Sequence, residues 1–343
     1  MTDEVSALDP GDARIAGGGR EAAGATFLVF TDSADIAAVY RRQLPEGWAI
    51  EHLEDRHDRD ERRAKLERAD VMLHADVVLD DHELGYATRL RLIQRQGVGY
   101  DNLEVEAAAA RGIAVCLCPV GTPESVAEHT VLLMLAVARH LPEIHRDVAA
   151  GAWPKWGYRD RSMGLDGTRV TIVGFGRIGQ AVAERLLAFG ARPTAVVRPG
   201  RTPDEEWRVR GVDVVHDIDE VLERSEILSL HCPLTDETRG MIDAARLARM
   251  PQGSILVNTA RGAMVVEDDL VAAVRGGHLL GAGLDVMSEE PPPVEHPLRT
   301  LPGVVLTSHL AAGTRTTQER KAEVVMDNAR AVIEGREPRF RLA

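Results

Sequence analysis

The stretch that most constrains the fold is a glycine-rich turn between an apolar strand and a helix. It reads TRVTIVGFGRIGQAVAERLLAFG over Thr168–Gly190, with Val170–Val173 as the predicted strand. In such a turn Gly174 permits a tight reversal, Gly176 lets the backbone approach a pyrophosphate, and Gly179 lets the helix pack on the strand. The helix N-terminus then offers N–H groups and the positive end of its dipole to that phosphate. An ordinary strand–helix connection does not need three glycines at this spacing, so the stretch predicts dinucleotide binding.

Length and charge limit the remaining possibilities. A chain of 343 residues is long enough for about two domains. Its net charge of -13 disfavours a nucleic-acid or anionic-membrane binder. The three cysteines form no disulfide framework and no second pair for zinc, so we expect no metal. The longest apolar run, Val126–Ala138, is too short to cross a bilayer, and the acidic N-terminus has no apolar core of a secretory signal. We therefore expect a cytoplasmic protein.

The first half of the chain predicts an α/β domain. Residues 1–24 are rich in Ala, Gly and Asp and are interpreted as a mobile tail. Apolar runs then alternate with helical patterns, which indicates a parallel sheet with crossovers. The predicted strands are Thr26–Phe30, Ala49–Leu53, Val71–Val78, Leu90–Gln94 and Ile113–Cys116. The charge-dense segment Glu54–Arg68 is interpreted as a solvated helix face without function.

A long apolar helix separates this half from the glycine turn. Thr122 is expected to be its N-cap and Pro123 its first residue, with Glu124 near the positive end of the dipole. Leu141-Pro142 should break it, and such a helix would suit a hinge between two domains.

In the second half, polar residues follow short apolar strands. The predicted strands are Thr194–Val197, Ile227–Leu230, Ser254–Val257, Ala282–Val286 and Val304–Thr307. In a doubly wound sheet, ligands lie outside the carboxyl ends of the strands. Polar residues gathered at this edge therefore predict a catalytic cleft beside the dinucleotide.

Arg261, Glu290 and His309 are the candidates for chemistry. A histidine can manage the proton of a carbonyl or alcohol near neutral pH, and a carboxylate beside it favours the imidazolium form. An arginine can bind both oxygens of an α-carboxylate. Together they describe a 2-oxo acid reductase that uses a nicotinamide cofactor. Taken singly, each residue is as consistent with a structural or solvent-facing role.

Several motifs in order resemble those of the D-isomer-specific 2-hydroxyacid dehydrogenases. They are QGVGYDN (Gln96–Asn102), TPESVAEHT (Thr122–Thr130), GFGRIG, HCPLTDETRG (His231–Gly240), NTARG (Asn258–Gly262), GAGLDV (Gly281–Val286), EEPPP (Glu289–Pro293), HPL (His296–Leu298) and LTSHLAAGT (Leu306–Thr314). The resemblance covers nearly everything after the tail.

The resemblance implies a role for each candidate. Arg261 would bind the substrate carboxylate, His309 would be the acid/base and Glu290 its partner. The backbone around Val98 and Gly99 would help to hold the carboxylate. Further cofactor contacts are expected in the same motifs, at Arg177, Ile178, His231, Thr259, Ala260 and, near the nicotinamide carboxamide, Asp285.

The resemblance also implies the architecture. We expect an α/β protein of two Rossmann-like, doubly wound parallel-sheet domains with the active site in the cleft between them. Residues 25–121 plus 314–343 would form a discontinuous substrate domain, and residues 122–313 the dinucleotide-binding domain. Relatives pair through their cofactor domains, so a homodimer is expected.

Departures within the family narrow the substrate. The formate-oxidising branch has glutamine in place of Glu290, and the phosphite-oxidising branch has a lysine within the stretch Gln96–Gly99. Phosphoglycerate dehydrogenases bind a phosphate, whereas the loop Leu73–Asp76 brings no Arg or Lys and adds an acid. We therefore expect reduction of a small unphosphorylated 2-oxo acid, as in glyoxylate or hydroxypyruvate reductases. The alternatives are a phosphoglycerate dehydrogenase-like enzyme and a dinucleotide-sensing regulatory protein. Because the sequence ends soon after Glu334, no C-terminal amino-acid-sensing domain is expected.

The strand after the turn bears on the cofactor. An acid that binds the ribose 2′-OH is expected at its end, about 20 residues beyond the turn, but Val197 stands there. Arg198, Arg201 and the Thr202 hydroxyl would suit a 2′-phosphate, although acids follow closely and both arginines would also be ordinary in solvent. The sequence thus favours NADP(H), with NAD(H) possible.

Overall fold

The structure is a computed structural model, and it describes residues 24–100, 102–201, 203 and 205–343. The chain divides into two compact units. The first contains the chain up to Thr122 together with Arg315–Ala343, and the second contains Pro123–Thr314. The predicted N-terminal tail, apart from Gly24, lies outside the described residues.

The first unit is built on a five-stranded parallel sheet in the order β2-β1-β3-β4-β5. Its strands are β1 (Thr26–Phe30), β2 (Ala49–His52), β3 (Val71–His74), β4 (Leu92–Arg95) and β5 (Ala114–Cys116). Its helices are α1 (Ala34–Arg41), α2 (Arg59–Leu66), α3 (Asp81–Leu84), α4 (Val105–Ala110) and, from the far end of the chain, α11 (Arg315–Ile333).

Apolar runs explain which strands lie inside this sheet. Phe27–Phe30 of β1 are fully buried, and β3 and β4 are buried along their whole lengths. Burial on both faces is what strands covered by helices on each side require. The edge strand β2 is only partly buried, and in α2, within the charge-dense segment, the buried residue is Leu66. That helix therefore presents a solvated face, as its composition predicts.

The second unit is built on a seven-stranded parallel sheet in the order β12-β11-β10-β9-β6-β7-β8. Its strands are β6 (Arg169–Val173), β7 (Arg192–Val196), β8 (Asp213–Val215), β9 (Ile227–Leu230), β10 (Ser254–Asn258), β11 (Leu279–Leu284) and β12 (Val304–Leu306). Its helices are α6 (Leu141–Ala149), α7 (Arg177–Ala188), α8 (Glu205–Val209), α9 (Ala244–Arg249) and α10 (Glu267–Arg275), and α5 (Thr122–Ala138) begins at the boundary between the units. Both units are α/β, and the strands of each sheet are parallel, so the predicted fold class is confirmed.

Three details differ from the expectations. Helix α5 begins at Thr122, whose buried hydroxyl has no hydrogen-bond partner in the described part of the chain, so the predicted N-cap is wrong. The short strand β8 was not predicted, because three residues carry too little periodicity. Asp285 lies after β11 and not within it. The predicted break after α5 is present, where His140 has a φ of 50°.

None of the helices in the described chain combines the length and apolar character that a bilayer crossing requires.

Candidate functional site

The glycine turn of the second unit has the geometry of a pyrophosphate cradle. Gly174 has a φ of +93°, and a Cβ there would lie 2.6 Å from the Cys232 nitrogen. A Cβ on Gly179 would lie 2.2 Å from the Gly174 carbonyl oxygen, so helix α7 packs directly on the turn. At Gly176, by contrast, a Cβ would meet nothing within 4 Å. The two outer glycines are thus required by packing, and the middle one faces open space.

Backbone N–H groups at the N-terminus of α7 lie beside this open space and could bind an anion. Gly176 is the N-cap of α7 and supplies no side-chain hydrogen bond to the helix N-terminus. The first helical hydrogen bond of α7 runs from the Gln180 N–H to the Gly176 carbonyl. The N–H groups of Arg177 and Ile178 come before Gln180, in the first turn of the helix. Backbone donors at the positive end of a helix dipole bind phosphate groups well. The turn therefore fits the pyrophosphate of a dinucleotide.

The strand that follows, β7, ends without an acid. Val197 comes directly after it and is buried, Arg198 is exposed and Arg201 is partly buried. Thr202 lies outside the described residues. At the position where an acid would bind a 2′-OH, this strand is thus followed by Val197 and not by a carboxylate.

His231 follows β9 directly beside the turn. Its Nε2 lies 2.7 Å from the Ser229 hydroxyl, and Nδ1 has no partner among the described residues. Burial lowers the pKa of His231 to about 3, so the ring is neutral at physiological pH. An unpaired buried nitrogen next to the cradle is a polar group that a bound cofactor could satisfy.

His309 and Glu290 form a hydrogen-bonded pair in the second unit. His309 Nδ1 lies 2.7 Å from Glu290 Oε2, and Glu290 Oε1 accepts the Met287 N–H at 3.0 Å. The hydrogen bond to Glu290 raises the pKa of His309 above its ordinary value, against an opposing effect of burial. Burial acts to raise the pKa of Glu290, but the hydrogen bond and charge of His309 leave it lowered overall. Both shifts favour the imidazolium–carboxylate form of the pair, and the hydrogen bond to Glu290 engages Nδ1 of the ring.

Arg261 belongs to the same cluster. The side chain of Asn258, at the end of β10, donates to the Arg261 carbonyl at 2.9 Å and accepts from the Ala260 N–H at 3.0 Å, which fixes the turn that carries Arg261. A Cβ on Gly262 would lie 1.9 Å from the Met287 carbonyl carbon, so this turn packs against the loop that leads to Glu290. The positive charge of Arg261 acts on the pKa values of Glu290 and His309, lowering both.

Asp285 organises the loop that carries His309. Its side chain is 1 % exposed and accepts the Thr307 hydroxyl at 2.6 Å, the Leu310 N–H at 3.0 Å and the Ala311 N–H at 2.9 Å. Its backbone carbonyl accepts the His309 N–H at 2.7 Å. His309 has a φ of 53°, a left-handed conformation that non-glycine residues rarely adopt. Asp285 therefore holds a strained residue in place from both sides.

A second histidine, absent from the sequence-based candidates, supports this arrangement. His129 Nε2 lies 2.9 Å from the Thr307 hydroxyl and 3.5 Å from the Asp285 carboxylate. Because Thr307 donates its proton to Asp285, its oxygen accepts from His129 Nε2–H. His129 lies within the TPESVAEHT motif, which carries part of the family resemblance, but the motif did not indicate a role for this histidine.

In the first unit, a buried arginine holds the loop that contains Val98 and Gly99. Arg95 ends β4 and is 7 % exposed. Its Nε donates to the Gly99 carbonyl at 2.7 Å and its Nη1 to the Ala75 carbonyl at 2.6 Å. Nη1 also donates to Nδ1 of His74, whose Nε2 is protonated because it lies 2.7 Å from the Val77 carbonyl. The loops after β3 and β4 are thereby joined.

The loop after β3 is less acidic than its sequence indicates. Asp76 accepts a hydrogen bond from Arg56, which also pairs with Asp32 through Nε–Oδ2 at 2.9 Å and Nη2–Oδ1 at 2.5 Å. The loop itself contains no Arg or Lys, as its sequence shows, but Arg56 reaches it from the charge-dense segment after β2. The sequence analysis assigns no function to the segment Glu54–Arg68. Its local composition does not indicate that Arg56 pairs with residues that follow other strands.

The predicted site residues are divided between the two units. Arg261, Glu290, His309 and Asp285 lie close together in the second unit, as do the glycine turn and His231. Thr259 is partly buried beside them, with its hydroxyl 3.0 Å from that of Thr130. Val98 and Gly99 lie in the first unit.

Comparisons with known proteins agree with these features. Residues 131–311 match the NAD binding domain of the D-isomer specific 2-hydroxyacid dehydrogenases. The chain is 38 % identical over 285 residues to D-3-phosphoglycerate dehydrogenase of Mycobacterium bovis, covering 82 % of this chain and 52 % of that protein. It is 40 % identical over 254 residues to glyoxylate reductase of Korarchaeum cryptofilum, covering 74 % of this chain and 76 % of that protein. It thus spans about half the length of the phosphoglycerate dehydrogenases that it matches.

Among solved structures, the TT0316 protein of Thermus thermophilus superposes with a TM-score of 0.82 at 36 % identity, covering 92 % of this chain and all of that one. An NAD-binding domain in the matched residues supports a nicotinamide dinucleotide as the cofactor. From its motifs, its two parallel sheets and these matches, the chain belongs to the D-isomer specific 2-hydroxyacid dehydrogenase family.

Proposed function

We propose that the protein reduces a small, unphosphorylated 2-oxo acid to the D-2-hydroxy acid with a nicotinamide cofactor. The observation that carries the proposal is the His309–Glu290 hydrogen bond at 2.7 Å, with the charge of Arg261 beside it. A nicotinamide cofactor held by the second unit would supply the hydride for the carbonyl carbon. His309 donates the proton to the carbonyl oxygen from Nε2, because Nδ1 is held by Glu290.

Each remaining residue has a role that its chemistry supports. Arg261 binds the α-carboxylate and orients the carbonyl, since a guanidinium can bind both oxygens. The backbone of Val98 and Gly99 completes the carboxylate site. The second unit is the dinucleotide-binding domain, in which the turn holds the pyrophosphate and Asp285 lies near the carboxamide. The first unit is the substrate domain.

NADP(H) is the proposed preferred form of the cofactor. Val197 stands where an acid would bind a 2′-OH, and Arg198 and Arg201 follow it. Comparing kcat/KM for NADPH and NADH tests this point. A clear preference for NADH would refute it.

The substrate is proposed to be glyoxylate or hydroxypyruvate, by analogy with the glyoxylate reductases among the relatives. The phosphoglycerate dehydrogenases among the relatives favour a phosphorylated substrate as the second candidate. A dinucleotide-sensing regulator is disfavoured because Arg261, Glu290 and His309 are all present. We further propose a cytoplasmic homodimer, as expected from the family.

The decisive experiment is an NADPH-oxidation screen over glyoxylate, hydroxypyruvate, its phosphate ester, pyruvate and branched-chain oxo acids. His309→Ala should lower kcat by about 100-fold or more, since positioned general acids contribute about that factor. Arg261→Ala should raise KM for every 2-oxo acid more than it changes cofactor affinity. Dinucleotide binding without turnover of any 2-oxo acid would instead support the regulatory alternative.

A further inference from the structure

Arg56 spans the topological switch point of the first unit. In the strand order β2-β1-β3-β4-β5, the chain direction across the sheet reverses between β1 and β3. Ligands of doubly wound sheets bind at this point, outside the carboxyl ends of the strands. Asp32 follows β1, Asp76 follows β3, and Arg56 bonds to both. A cluster of three paired charged side chains of the protein itself therefore lies at the position where a ligand is expected.

The cluster adjoins the proposed carboxylate-binding backbone. Arg95 donates to the carbonyls of both Ala75 and Gly99, so the residue before Asp76 and the loop of Val98 and Gly99 share one guanidinium. The side chains of Asp32, Arg56 and Asp76 are about 30 %, 33 % and 50 % exposed, so solvent and solutes can reach them.

The charges of the cluster oppose a phosphate. A guanidinium binds phosphate through two parallel N–H groups, but Arg56 directs Nε and Nη2 to the two oxygens of Asp32 and Nη1 to Asp76. The hydrogen bond from Arg56 also lowers the pKa of Asp32, so this carboxyl stays ionised. Within the cluster, two carboxylates and one guanidinium leave one negative charge, while the neighbouring Arg95 guanidinium is itself bonded to the Gly99 and Ala75 carbonyls and to His74. A doubly charged phosphate would have to break these bonds against that charge.

We propose that Asp32 and Asp76 make the protein selective for unphosphorylated 2-oxo acids by occupying Arg56. This inference rests on the proposed function and names the residues that set its substrate class. It also means that Arg56 is a latent phosphate-binding group, which removal of its two carboxylate partners would release.

The test is the ratio of kcat/KM for the phosphate ester of hydroxypyruvate to that for hydroxypyruvate. Asp76→Asn should raise this ratio about tenfold, as expected for one partly exposed charge close to a phosphate, and Asp32→Asn with Asp76→Asn should raise it further. Adding Arg56→Gln to the double variant should abolish the gain. Asp219→Asn is the matched control, because Asp219 is paired with Arg246 and Arg249 in the second unit and should leave the ratio unchanged.

Binding gives an independent measurement. Calorimetric titration of glycerate and of 3-phosphoglycerate reads the same selectivity without turnover. A gain of 3-phosphoglycerate affinity in Asp76→Asn would support the inference even if the screen found no reductase activity. A ratio and relative affinity that stay the same in both asparagine variants would overturn it, whatever the wild-type activity.

Discussion

Asp285 offers the sharpest test of how the site is held together. Asp285→Ala removes a buried carboxylate that accepts three hydrogen bonds, from Thr307, Leu310 and Ala311. It leaves their donors facing a small void. We expect the second unit to lose stability and His309 to lose its fixed position.

The magnitude follows from the contacts. An unsatisfied buried donor costs about 1–3 kcal/mol, and the two backbone N–H groups cannot turn away to water as the Thr307 hydroxyl can. The expected loss is therefore about 3–5 kcal/mol of unfolding free energy. Asp285→Asn should cost about half as much, because its amide oxygen still accepts on one side while its NH₂ group faces donors.

Urea unfolding measures this loss when it is followed by the fluorescence of Trp207 in a background where the other three tryptophans are replaced by phenylalanine. Trp207 packs edge-on against Phe175 in the second unit. Asp243→Ala is a control, since it removes an N-cap hydrogen bond of 2.9 Å on α9 and should cost about 1 kcal/mol. The reasoning is refuted if Asp285→Ala costs no more than that control and retains wild-type kcat. A pure loss of cofactor affinity would point to the carboxamide contact as the sole role of Asp285.

Two other predictions concern the proton and the pyrophosphate. Glu290→Gln removes the negative charge and leaves at most a neutral amide acceptor for His309, so the pKa of His309 falls and the imidazolium is lost at lower pH. The alkaline limit of kcat for oxo-acid reduction should then move to lower pH, and a pH profile identical to wild type would contradict the pairing. Gly176→Ala meets nothing within 4 Å and should fold normally but bind dinucleotide weakly in a titration. Gly179→Ala would place its Cβ 2.2 Å from the Gly174 carbonyl oxygen, so it should lower the free energy of unfolding by about 2 kcal/mol or more, as measured by thermal unfolding. Equal stability of Gly176→Ala and Gly179→Ala would contradict the packing argument.

Much of the architecture follows from local pattern. Strands β1 and β9 match their predicted bounds and, apart from the unpredicted β8, the others differ by a few residues at their ends, because buried parallel strands are short continuous apolar runs. The glycine turn and the strand-end positions of Arg261 and His309 were readable for the same reason.

The supporting interactions were not readable, because they join residues far apart in the sequence. Arg56 meets Asp32 across 24 positions and Asp76 across 20, and His129 meets Thr307 across 178. A charge run such as Glu54–Arg68 gives no indication of which of its members reaches a strand end. Tertiary pairing decides this, and local composition does not.

The return of α11 to the first unit has a consequence for how the chain folds during synthesis. The Asn328 amide donates to Gln94 at 2.8 Å, and the Val115 N–H donates to the Ala343 carbonyl at 2.9 Å. The second unit is made from one continuous segment, so it can fold as soon as that segment leaves the ribosome. The first unit must wait with its β4 and β5 surfaces uncovered until residues near Ala343 have emerged. Nascent chains truncated before Arg315 should therefore need chaperone protection for the portion that was made first.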